Sequence, residues 1–158
     1  MSLMFRIPAE LVRPLRIGLH GELGCAAQEI ERVSDRYGRH WHPEWYEQPL
    51  AYFDAVRALL DEIGWGEPPK SIEIDVDLTK YERAVLSALR SQVCVHRDMV
   101  AEAESVDRER AKQGKPPKGP AMIARAEALS ALFARLWLAL ADIEVEASDP
   151  GQEAAPTD

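Results

Sequence analysis

The densest run of chemically capable side chains is Arg39-His40-Trp41-His42-Pro43-Glu44-Trp45-Tyr46. An extended His-x-His pair can present both imidazoles to one ion, and helical bundles rich in carboxylates host metals. The wider pattern stops there. No Glu-x-x-His and no His-Glu-x-x-His occurs anywhere in the chain, so neither the di-iron carboxylate nor the zinc hydrolase arrangement is present. No metal and no cofactor is implied. The remaining chemical reading is a small-ligand pocket in which His40, Trp41, His42, Glu44, Trp45 and Tyr46 line one wall and Trp65 another, since aromatic cavities between helices are common ligand sites. Against it stands a plainer role, an aromatic connector folded back on a core.

Covalent catalysis has no constellation behind it. Ser87, Ser91 and Cys94 lie near His96 in sequence, but residues two apart on a helix face different directions. Falling between Val93 and Val100, His96 lies on an apolar stripe and is expected to be buried and satisfied by a backbone carbonyl or a carboxylate. Gly18, Gly21 and Gly24 lack the strand and the Gly-Lys-Ser/Thr ending of a phosphate loop, and Gly114-Lys115 is followed by Pro116 where a hydroxyl residue is required. Cys25 and Cys94 both fall within helical patterns, where buried reduced thiols are expected.

Positioning these groups falls to helices. The stretch 79–113 reads as the longest, with Tyr81, Val85, Leu89, Val93, His96, Val100 and Ala103 recurring at spacings of four and three. Thr79 and Glu82 fit a capping box at its start, and Gly114 with Pro116-Pro117 ends it. Further helices are expected over 21–37, 49–63 and 120–143. The first begins after Pro14 has broken a short turn at 9–13, and Pro49 and Pro120 open the other two. Residues 71–77 alternate apolar and acidic groups as a half-buried strand does, and three arrangements suit them equally. They pair with an extended piece at 5–7, pair with another subunit, or lie unpaired over the bundle. Residues 1–3, ahead of a second methionine, are given no structural weight.

The fold class is therefore all-α: a four-helix bundle-like domain over 1–143 with one long third helix, a short extended segment before it, and a disordered acidic tail over 144–158. That tail holds Glu144, Glu146, Asp149, Glu153 and Asp158 without a Lys or Arg, and so carries most of the formal charge of −8. Neither part has the basic excess that nucleic-acid binding requires. No apolar run reaches transmembrane length and no export signal is visible, so no membrane partner is expected and the chain reads as cytoplasmic.

At the usual rise the third helix would be about 51 Å long and the fourth about 36 Å, leaving an overhang of about 15 Å. Its small residues suit close packing against another chain. The leading expectation is a non-enzymatic interaction or assembly module, pairing with itself or another protein, with a homodimer interface at Val100, Ala103, Val106 and Trp137. The alternative is a small-ligand or metal-binding helical protein that uses the aromatic and histidine connector at 40–46.

Overall fold

A computed structural model describes residues 2–37, 44–66 and 72–147. The order is β1 (Met4–Ile7), α1 (Ala9–Tyr37), α2 (Glu44–Ile63), β2 (Ile74–Asp77), α3 (Leu78–Lys112) and α4 (Gly119–Ala147). The fold is all-α, four helices with a two-stranded antiparallel ribbon added among the described residues. Residues 148–158, most of the expected tail, lie outside the described residues, and α4 runs on past 143 to Ala147.

The ribbon answers the question of what 71–77 pairs with. Met4 faces Asp77 and Ile7 faces Ile74, so the N-terminal segment is the partner. Period two governs both strands: Phe5, Ile7 and Val76 are buried, while Arg6 points outward and donates from Nε to Asp75 Oδ1 at 3.1 Å. Leu3 also has a structural part. Its amide donates to Thr79 Oγ1 at 3.0 Å and its carbonyl accepts from the Leu78 amide at 2.8 Å. With its hydroxyl engaged there, Thr79 is not the N-cap. Asp77 is, accepting from the Thr79 amide at 2.9 Å.

Two prolines expected to bound helices lie inside them: α1 runs through Pro14, and α2 begins at Glu44, ahead of Pro49. Each removes one early hydrogen bond. Around Pro14, Leu11, Val12, Leu15 and Leu19 are all buried, and burying such side chains is worth roughly 1.5–3 kcal/mol each, which outweighs the lost bond. The glycine stops behave as expected: Gly64 and Gly114 take φ of +92° and +68°.

In the packing, α1 contacts both α2 and α3, and α3 and α4 form an antiparallel hairpin. One core gathers Leu15, Leu19, Val56, Leu60, Val85, Leu89, Leu129 and Leu136. The hairpin turn is fastened by Asp107, whose Oδ1 accepts from the amides of Lys118 at 2.7 Å and Gly119 at 3.2 Å. Fastened there, the second half of α3 lies alongside the start of α4 and there is no overhang at that end. Ala103 is buried, with its Cβ 3.7 Å from where a Cβ on Gly119 would be. Its small side chain serves an intrachain contact, not a subunit interface.

Candidate functional site

The end of α2 shows how Trp65 is held. Its last carbonyls have no intrahelical partners. From one turn of α1, Arg16 donates through Nε to the Gly64 carbonyl at 2.7 Å and through Nη2 to the Ile63 carbonyl at 2.8 Å. A guanidinium suits this place, since the C-terminal end of a helix is the negative end of its dipole. One turn later His20 donates from Nε2 to the Trp65 carbonyl at 2.9 Å and meets the indole edge-on at 5.6 Å, while Trp65 Nε1 donates to Asp61 Oδ1 at 2.6 Å. Trp65 thus belongs to a joint between α1 and α2.

Glu44, Trp45 and Tyr46 lie at the opposite end of α2, in its first turn rather than in a connector. The 20 residues of α2 put about 30 Å between its ends. One small molecule cannot touch both tryptophans, and the structure does not bring Trp65 together with Trp45. Trp45 and Glu44 are exposed and line a shallow space with Glu29 and Arg32 of α1. Tyr46 is buried and its hydroxyl has no partner among the described residues. His40, Trp41 and His42 lie outside the described residues.

Midway along α2 the three helices α1, α2 and α3 enclose a cleft of about 420 Å³. Tyr52 donates its hydroxyl to Glu22 Oε2 at 2.7 Å, and the Arg83 guanidinium lies over the tyrosine ring at 4.3 Å from its centre. Partial burial, then the Glu22 carboxylate, push the Tyr52 phenol up to about 12, with Ser87 and Arg83 pulling the other way. At neutral pH the phenol is a fixed donor rather than a base or nucleophile. Cys25 stands exposed at the rim. Both thiols were expected to be buried, yet Cys94 is exposed too, because each falls on the outward side of an amphipathic helix. Sequence reading did not single out Glu22, Tyr52 or Arg83. They come from three helices, and no local pattern marks a contact between residues so far apart.

His96 is 8% exposed and donates from Nδ1 to the Gln92 carbonyl at 2.8 Å, as the stripe position requires. It is turned away from the exposed Cys94, so the two form no dyad. Among the described residues no three His, Cys, Asp or Glu side chains converge as a metal site would need, and no helix is long and apolar enough to cross a membrane.

The remaining candidates lie on the hairpin. Val100 is half-buried and Val106 exposed. Trp137 and its neighbour Leu138 are 58% and 64% exposed. With Phe133 and Ala134 on α4 and Leu86 and Arg90 on α3 they surround an apolar depression of about 690 Å³. Phe133 stacks on Trp137 at 6.3 Å, fixing the indole in place. Comparison with protein-family models, curated proteins and solved structures finds no match to the chain.

Proposed function

We propose that the protein is an assembly module that pairs with a second copy of itself across the outward face of the α3–α4 hairpin. The observation carrying this reading is the exposure of Trp137 and Leu138 side by side on an ordered helix. Leaving a leucine in water forgoes roughly 1.5–3 kcal/mol, and an apolar patch of this kind is characteristic of a contact surface. A twofold pairing sets the same patch against itself and closes, so no second kind of chain is needed. Arg90, without an ion-pair partner among the described residues, supplies the polar rim such a patch requires.

Sedimentation velocity over a range of concentrations tests the reading. Wild-type protein is expected at twice the 17.7 kDa chain mass, and Trp137→Glu at the chain mass with an unchanged circular dichroism spectrum. A wild type that stays monomeric at high micromolar concentration retires the proposal.

A further inference from the structure

A second surface of the hairpin lies on the side facing α1. Along α3 the residues Tyr81, Ala84, Ala88, Gln92, Val95, Met99, Glu102 and Val106 follow one another at spacings of three and four and so share a face. As far as Gln92 this face is buried, with α1 lying directly on Ala88. Beyond Gln92 it continues uncovered: Val95, Met99 and Val106 are exposed. Opposite them α4 contributes Ala121, Met122 and Arg125, and with Lys118 the two helices form a groove of about 560 Å³, a size usual for small-ligand sites.

The wall of this groove carries His96. Because a carbonyl can only accept, its contact with Gln92 places a proton on Nδ1, and the neutral ring then carries its lone pair on Nε2. Nε2, on the far edge of the ring, has no hydrogen-bond partner among the described residues and is not sealed from solvent. An acceptor open to the groove can take a hydrogen bond from a hydroxyl bound there. At the rim, the Lys118 ammonium and the Arg125 guanidinium have no ion-pair partner among the described residues, against a single carboxylate, Glu102.

From this arrangement we infer that the groove binds a small amphiphilic carboxylate bearing a hydroxyl group. Its chain lies on Met99, Val106 and Met122, its carboxylate meets Lys118 and Arg125, and its hydroxyl donates to His96 Nε2. The balance of rim charge selects an anion over a cation, and the single inward acceptor selects a hydroxylated chain over a plain one. This surface is separate from the Trp137 face, so the two proposals stand independently.

Isothermal titration calorimetry of the full chain with 3-hydroxydecanoate, decanoate and decyltrimethylammonium is the test. Saturable one-to-one binding of 3-hydroxydecanoate is expected, tighter than decanoate and far tighter than the ammonium compound. The double variant Lys118→Gln/Arg125→Gln, altered only at exposed positions, should bind it at least about tenfold more weakly. His96→Leu should erase the preference for the hydroxylated acid, and Trp137→Glu should bind as wild type does. Absence of saturable binding, equal binding of the ammonium compound, indifference to the double variant, or loss of binding in Trp137→Glu would each overturn the inference.

Discussion

The carbonyl oxygen of Ala88 in α3 lies 2.5 Å from where a Cβ on Gly18 of α1 would be placed. The two helices meet backbone to backbone there, which only glycine permits. Gly21 and Gly24, further along α1, have nothing within 4 Å of that position. Gly18→Ala is therefore expected to lower stability by about 1–3 kcal/mol. Gly21→Ala and Gly24→Ala should each raise it by about 0.5–1 kcal/mol through helix propensity. Urea unfolding midpoints at constant slope report all three. If the three substitutions behave alike, α1 and α3 do not approach this closely.

Ala103 separates an intrachain contact from an intersubunit one. Ala103→Glu forces a carboxylate against Gly119 and should destabilise the chain by about 2 kcal/mol or more. Val106→Glu, at an exposed position on the same helix, should stay within about 0.5 kcal/mol of wild type. Thermal unfolding at a concentration low enough to keep the chain monomeric makes the comparison, and a harmless Ala103→Glu would remove Ala103 from the hairpin contact.

Arg16 spans the last carbonyls of α2 with two nitrogens of a rigid fork. Arg16→Leu leaves those carbonyls unpaired and is expected to cost about 2 kcal/mol. Arg16→Lys should recover only part of this, because a single ammonium cannot reproduce the planar fork. Full recovery by lysine in a urea titration would mean that charge alone holds the joint.

Tyr52 sets an alkaline limit. Its phenol ionises near 10 in the unfolded chain and at about 12 in the folded one. The group whose folded value is raised contributes stability that is complete below pH 10 and is lost as pH climbs toward 12. Tyr81, held up by burial and by the Glu62 carboxylate, acts in the same direction. Between pH 10 and 12 the wild type should lose stability faster than Tyr52→Phe, the remaining slope in the variant belonging to Tyr81 and to Lys80, whose ammonium is also held up by its contact with Tyr81. Parallel pH profiles for the two proteins would show that Glu22 does not hold the Tyr52 hydroxyl.

Helical periodicity carried most of the fold. On α3 the stripe positions Val85, Leu89, Val93 and His96 are buried, as are Ala126, Leu129, Leu136 and Leu140 on α4. The signals that misled were local ones overruled by tertiary contacts. Pro14 punctuates a sequence, yet burial of Leu11, Val12, Leu15 and Leu19 carries α1 through it, and α2 starts a turn ahead of Pro49. Thr79 followed by Glu82 spells a cap, yet Leu3 claims the hydroxyl and Asp77 takes the role. Small residues such as Ala101, Ala103 and Ala111 near the end of α3 looked like a surface for another chain, because small residues report close packing without naming the partner. Of the site residues, Trp45 and Trp65 share an amino-acid type but stand at opposite ends of one helix. The Glu22–Tyr52–Arg83 cluster depends on three helices meeting, which no spacing along the chain encodes.

The ribbon between β1 and β2 has a kinetic consequence. The bond from the Leu3 amide to Thr79 closes a loop of 76 residues, whereas the clasp at Asp107 joins groups only 11 and 12 apart. Closing a long loop loses more chain entropy than closing a short one, and that loss precedes any gain from the contact. During folding the α3–α4 hairpin can therefore form on its own, and the N-terminal strand docks onto a scaffold already built. Run backwards, the same order makes the ribbon the seam along which the molecule first opens.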